Sequence, residues 1–186
     1  MARPTKETIQ ARIRSAVVAD VAANGIGALS IASVAKRAQV SAGTIYLHYT
    51  GKEDMLQKVY LQIKTEFHKI MAAASEEPNS KAMIRRMWFD MFKFVAAHPM
   101  DFLFIEYAGA AQVLTTQQAA EVAHLQVEIT DMLKSAIDDG TLVNLPVSTV
   151  TTLLVAPAMH LARTSLLNGS AIVPGELELT FERVWI

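Results

Sequence analysis

Between Leu29 and Leu56 the chain reads LSIASVAKRAQVSAGTIYLHYTGKEDML, and few folds accept such a stretch. Ser30 is a good N-cap, because its hydroxyl can accept from backbone N–H groups two or three residues on. Ile31, Val34, Ala35 and Ala38 then recur at helical spacing. Gln39-Val40 interrupts the pattern, Ser41 offers a second cap, and Ala42 to Tyr49 carries Ile45 and Tyr49 one turn apart. Two short helices joined this tightly predict a helix-turn-helix, with Lys52 opening a third helix.

The outward face of the second helix narrows the reading. Ser41, Ala42, Gly43, Thr44, Tyr46 and His48 are small or polar, and none is acidic. Small residues at a helix N-terminus admit the edge of a nucleic acid, and the free N–H groups there suit phosphate oxygens. Thr44, Tyr46 and His48 can donate hydrogen bonds outward, and Lys52 adds a cation. Taken alone, these residues fit a packed helical hairpin with a solvated face equally well.

The run Ala35, Val40-Ser41-x-Gly43-Thr44-x-Tyr46-x-His48-Tyr49-x-x-Lys52-Glu53-x-x-Leu56, with Gly25 and Leu29-Ser30 upstream, resembles the DNA-binding signature of the TetR family of one-component transcriptional regulators. The likeness covers roughly the first third of the chain, at fixed offsets across three elements. It implies a ligand-responsive regulator, most often a repressor, that binds a palindromic double-stranded operator as a homodimer joined through its last two helices. Ser41, Ala42, Gly43, Thr44, Tyr46 and His48 would then face the major groove or its bordering phosphates. Ser30, Ser33 and Lys52 would contact the backbone, with Lys36 and Arg37 contributing less. Two departures stand out: Gln39 sits where the family often has a turn glycine, and Gly51 loosens the link to the next helix.

Charge agrees with that placement. The whole chain is at −1, but residues 1–64 hold nine Lys/Arg against four Asp/Glu, a net +5, and residues 65–186 stand at −6. A basic end on an acidic remainder is expected where one end meets phosphates. Arg3 and Lys6 are candidates for an arm touching the DNA backbone, whereas Arg12 and Arg14 read as an ordinary solvated face. With 52% hydrophobic and 19% charged residues, the 186-residue chain can bury a sizeable core. Cysteine is absent, so disulfide and thiolate chemistry are excluded. MARPTKETIQ lacks the apolar region of a signal peptide, and no unbroken apolar run approaches the roughly 18–20 residues of a membrane span. A soluble, cytoplasmic protein with no membrane partner is expected.

The remainder predicts helices only. Thr5 caps a first helix that Gly25 stops, and a long helix runs from Lys52 to about Ser75. Glu76-Glu77-Pro78-Asn79-Ser80 breaks the chain before a helix that is apolar almost all round. His98-Pro99 ends that helix, and a short one follows to Gly109. Thr115 or Thr116 opens another to about Asp139, Pro146 opens the next, kinked at Pro157, and Pro174 opens a last one carrying Leu177, Leu179, Phe181, Val184 and Trp185. The fold class is all-α, about nine helices, with a helix-turn-helix domain at 1–50 and a ligand-binding and dimerisation domain at 51–186. Little charge between Leu145 and Val173 and the apolar terminus ERVWI predict burial against a second copy.

Met and aromatic crowding in the middle helices suits a plastic apolar cavity. Phe67, Met71, Met87, Trp88, Met91, Phe92, Phe104, Tyr107 and Met159 are its candidate lining, and Glu106 is a candidate buried acid that would select a cationic or hydrogen-bonding ligand. The expected effector is small and hydrophobic or aromatic. No glycine-rich phosphate loop, nucleophile elbow or His-Glu-x-x-His motif occurs, and the five histidines lack metal-ligand spacing. No catalytic constellation, cofactor or metal is expected. The alternatives are a helical interaction protein or small-molecule carrier that has lost specific DNA binding, or a small helical enzyme using the cavity.

Overall fold

The computed structural model describes residues 5–170 and 173–184; Arg3, Trp185 and Ile186 lie outside them. Among the described residues the regular structure is nine α-helices and one 3-10 turn, with no strand, so the all-α class stands. The helices are α1 (Lys6–Ala28), α2 (Ile31–Ala38), α3 (Ala42–Tyr46), α4 (Lys52–Ala72), α5 (Ser80–Ala97), α6 (Pro99–Ala110), α7 (Thr116–Asp138), α8 (Val147–Asn168) and α9 (Pro174–Val184), and the 3-10 turn Ala73–Glu76 extends α4.

Local chemistry accounts for most ends. Thr5 caps α1, its hydroxyl accepting from the Thr8 N–H at 3.2 Å. Gly25, at φ 77° and ψ 164°, breaks α1 as expected, but one further turn follows to Ala28. Asn79 caps α5, accepting from the Ala82 N–H at 2.9 Å. Gly169 closes α8 in the left-handed conformation. The second helix of the pair is shorter than its sequence pattern: α3 ends at Tyr46, and the Leu47, His48 and Tyr49 N–H groups close single turns onto Gly43 and Ile45 carbonyls.

The chain forms two compact units. One comprises Met1–Lys64 and Met100–Ala119, the other Thr65–Pro99 and Ala120–Ile186. In the first, α1 packs on α2 and α2 on α3. Ile13, Val17, Val21, Val34, Ile45, Met55, Val59, Ile63, Phe102 and Phe104 are each no more than 1% exposed. Burying one such side chain is worth about 1.5–3 kcal/mol. In the second, α5 and α9 each pack on α8. Met83, Ile84, Trp88, Met91, Phe92, Phe94 and Val95 are the buried residues of α5. Ala158 and Ala162, fully buried one turn apart, are small residues that let α8 be approached closely.

Helix α8 continues through Pro157 and is long and apolar enough, by length and composition, to cross a membrane. Most of its residues are not buried within the chain; Leu153, Val155 and Leu167 are all exposed. The Thr151 and Thr152 hydroxyls donate back to the Val147 and Ser148 carbonyls, which masks their polarity.

Candidate functional site

Helices α2 and α3 each start on a serine cap, reciprocal in α2. The Ser33 N–H donates to the Ser30 hydroxyl at 3.0 Å, and the Ser30 N–H donates to the Ser33 hydroxyl at 3.1 Å. Ser41 repeats the device for α3, accepting from the Thr44 N–H at 3.0 Å. Each such cap stabilises its helix by about 1 kcal/mol.

Beneath them lies Asp20, only 3% exposed. Its carboxylate accepts from the Ser33 hydroxyl at 2.6 Å, the Asn24 amide at 3.0 Å and the Arg37 guanidinium at 3.4 Å. A buried charge is tolerable only when satisfied in this way. The Ser33 hydroxyl therefore orients the start of α2 against α1, within donor reach of both Asp20 and the Ser30 carbonyl.

The turn between α2 and α3 is held from α1. Gln39 adopts φ 53° and ψ 47°, a left-handed conformation without glycine. The Arg12 guanidinium donates to the carbonyls of Ala38 and Gln39, at 2.6 and 2.9 Å. A cation on the last carbonyls of a helix is favourable, so Arg12 offsets part of the cost of Gln39. Arg14 is engaged as well, in a half-buried 2.7 Å ion pair with Asp101 in the first turn of α6. Neither arginine belongs to the solvated face that sequence assigns it.

On the outer side of the pair, Ser41, Ala42 and Gly43 are exposed, and Tyr46 is 58% exposed. Thr44 and His48 are half-buried, with the Thr44 hydroxyl 2.8 Å from that of Ser41. Lys36 and Arg37 are exposed beside them. The Lys52 ammonium donates to the Gly27 carbonyl at 3.2 Å. A Cβ placed on Gly43 would meet only the Ser41 hydroxyl, at 3.6 Å, an ordinary contact. The chain's own packing does not require glycine there.

Leu47 is the residue that sequence reasoning missed. At 81% exposure it is the most exposed large apolar side chain among the described residues, next to Tyr46. Its only signal is that Ile45 and Tyr49 turn inward, which leaves Leu47 no core to join. Tyr49 is buried, and burial, reinforced by Asp54, holds its phenol above the ordinary value.

The candidate effector residues divide between the units. Met71, Trp88, Met91 and Phe92 are buried in the second unit, where Phe67, Met87 and Met159 are half-buried. The Phe67 and Phe94 rings meet edge-on at 5.1 Å, and the Trp88 and Phe92 rings lie 5.6 Å apart. Phe104, Glu106 and Tyr107 belong to the first unit; Phe104 is buried, Glu106 half-buried and Tyr107 exposed. Burial lowers the Lys64 ammonium's pKa while the Glu106 charge raises it, and burial and Glu106 together raise that of the Tyr60 phenol. The Glu106 charge thus already acts on groups of its own chain.

Comparison with known proteins converges on one group. Residues 18–59 match the family model described as bacterial regulatory proteins, TetR family. A helix-turn-helix-type transcriptional regulator of Haemophilus influenzae, itself uncharacterised, is 29% identical over 98 residues, which is 52% of each chain, so the match spans about half the relative's length. A TetR family transcription regulator from Marinobacter aquaeolei superposes with a TM-score of 0.87 at 21% identity, covering 96% of this chain and 94% of that one. A second, described as a putative TetR family regulator from a Shewanella species, gives 0.80 at 19% identity and 96% of both chains. At these identities the structural likeness concerns the fold.

Proposed function

We propose that this chain, a member of the TetR family of bacterial regulatory proteins by its residues 18–59, is a ligand-responsive transcriptional regulator, a repressor that grips a palindromic operator as a homodimer. The observation that carries the reading is the α3 face: Ser41, Ala42, Gly43, Tyr46 and Leu47 lie open beside exposed Lys36 and Arg37, on a turn fixed from behind by Arg12 and Asp20. In this reading residues 1–50 dock on DNA, and residues 51–186 bind the effector and dimerise.

Tyr46, Thr44 and His48 supply donors to base edges or phosphates, while Ala42, Gly43 and Leu47 give shape and apolar readout, for which a thymine methyl is the natural partner. Lys36, Arg37 and Lys52 supply phosphate affinity and its salt dependence. Ser30, Ser33 and Ser41 fix the helix starts whose N–H groups approach the backbone. Dimerisation uses α8 and α9: Leu153, Val155 and Leu167 are exposed apolar groups on α8, a helix poor in charge, and Leu179 is exposed on α9. Two recognition helices about 34–36 Å apart would then reach successive major grooves.

The effector is small and hydrophobic or aromatic, held among the methionines and aromatics of the second unit. It acts by binding the DNA-free arrangement more tightly than the DNA-bound one. Helix α4 runs from Lys52 to Ala72 and is joined to α3 by the short segment 47–51, so a shift at its far end travels along one helix to the link that carries α3. The setting is the cytoplasm, where an operator is accessible.

The test is fluorescence anisotropy on duplexes tiled across the DNA flanking the gene, with scrambled duplex as competitor. Competitor-resistant binding to one palindromic tile is expected. If neither a tile nor any duplex selected from a random pool outcompetes scrambled DNA, the head no longer reads sequence, and the reading as an interaction protein or carrier replaces this one.

A further inference from the structure

Trp88 is 5% exposed, yet its indole N–H has no hydrogen-bond partner among the described residues; it is the buried side-chain polar atom that stands out in this way. The rings beside it belong to Phe92, one turn along α5, and Phe181 on α9, each with its centroid 5.6 Å away and tilted by 58° and 55°. Carbon rings offer no acceptor lone pair. An unsatisfied buried donor costs stability, and native proteins keep few of them. Phenylalanine at position 88 would supply an aromatic body without that cost. A water trapped at the N–H needs two to four polar partners, and neither Phe92 nor Phe181 provides one.

The charged group one turn away is committed elsewhere. Arg85, one turn before Trp88, grips Glu178 of α9 through two hydrogen bonds of 2.6 and 2.8 Å, and its guanidinium lies over the Phe89 and Phe181 rings at 4.6 and 5.5 Å. This clasp holds α9, and with it Phe181, against α5. Met87, Met91 and Phe92 continue the apolar surface around Trp88 along the same helix.

We infer that the Trp88 indole N–H is the polar anchor of the effector, and that the effector is an apolar molecule carrying an acceptor oxygen, a carbonyl or carboxylate, which takes that hydrogen bond. The inference rests on the effector-binding reading above and adds the chemistry by which the site chooses its ligand. A hydrocarbon of the same shape leaves the donor unpaired and is discriminated against. Hydrogen-bonding sites reject analogues lacking the matching group far more strongly than apolar pockets reject a changed methylene.

The test uses three probes of matched length: 2-octanone, octanoate and 2-methyl-1-octene, whose terminal methylene replaces the ketone oxygen. Binding is measured by calorimetry on the full-length protein without DNA. The indole N–H resonances of Trp88 and Trp185 are followed by nitrogen-15 NMR, with Trp88→Phe giving the assignment. One or both oxygenated probes should bind at least about tenfold more tightly than the alkene, shift the Trp88 resonance downfield, and lose that preference in Trp88→Phe. Octanoate ahead of octanone marks the site as selecting an anion, and the reverse order marks a neutral carbonyl. Binding of the alkene as tight as that of both oxygenated probes, or a bound oxygenated probe with an unmoved Trp88 resonance, overturns the anchor while leaving an apolar effector site in place. Failure of all three probes to bind overturns both. The resonance is read on the unaltered protein, so the outcome does not depend on the variant folding.

Discussion

Gly43→Ala sets protein stability against DNA affinity. Gly43 lies inside α3 at an ordinary helical position, and the added Cβ would sit 3.6 Å from the Ser41 hydroxyl, with nothing else of the chain within 4 Å. Glycine in a helix interior costs about 0.5–1 kcal/mol relative to alanine. Because α3 is a five-residue helix, the lower figure applies. A gain of about 0.5 kcal/mol corresponds to roughly 1–2 °C in Tm for a chain of this size. The same methyl points where a groove edge would lie, and an extra methyl in a close-packed contact costs about 1–3 kcal/mol. Operator affinity should therefore fall about tenfold or more, while thermal unfolding followed by circular dichroism shifts slightly upward. Anisotropy against the selected operator reads the first effect. A variant that is more stable and binds with unchanged affinity would refute the docking of α3 face-on to DNA.

Other outcomes follow from the same head. Tyr46→Ala should weaken binding to every operator variant tested, without a change in Tm, because the ring is 58% exposed and supports nothing in the core. Gln39→Gly should raise Tm by about 2 °C, since a non-glycine residue in the left-handed region costs about 1–2 kcal/mol, part of which glycine returns as unfolded-state entropy. Arg12→Ala should lower Tm by several degrees and weaken operator binding, by removing two charge-assisted hydrogen bonds from the turn; combined with Gln39→Gly, its loss should be smaller than alone. Asp139, held below the ordinary carboxylate value by hydrogen bonds from Ser80 and Thr141, contributes stability above about pH 4 that is lost as pH falls through its lower folded value. The stability gap between the parent and Asp139→Asn, measured by urea unfolding, should close in acid; a gap that is constant with pH would contradict it.

What could be read from sequence was what is decided locally. Thr5, Ser30 and Ser41 cap, and Gly140 and Gly169 terminate, because their chemistry acts within a turn of themselves. The apolar periods gave the helices and their inward faces by the same logic. Most of the misses are long-range. Arg14 meets Asp101 across 87 positions, and Arg12 reaches Gln39 across 27. On a helical wheel both look like solvated cations, and no local rule supplies the partner. Asp20 reads as an ordinary helix acid until folding brings Ser33 and Arg37 onto it. The short α3 was hidden because Tyr49 continues the period while the backbone has already left the helix. The orphan donor of Trp88 is a property of its neighbours rather than of tryptophan.

Helix α6 shares a compact unit with residues far ahead of it in the chain, and this bears on how proteins of this fold can be recombined. A hybrid that exchanges only residues 1–50 or 1–64 between two such proteins carries the reading head without Met100–Ala119. It leaves a donor's Arg14 beside whatever the host supplies at position 101 and, in the longer exchange, a donor's Gln57 beside a foreign carbonyl in place of Val113. The exchangeable module is discontinuous: grafting the two segments together, with the Arg14–Asp101 and Gln57–Val113 links intact, preserves the surroundings in which the head folds.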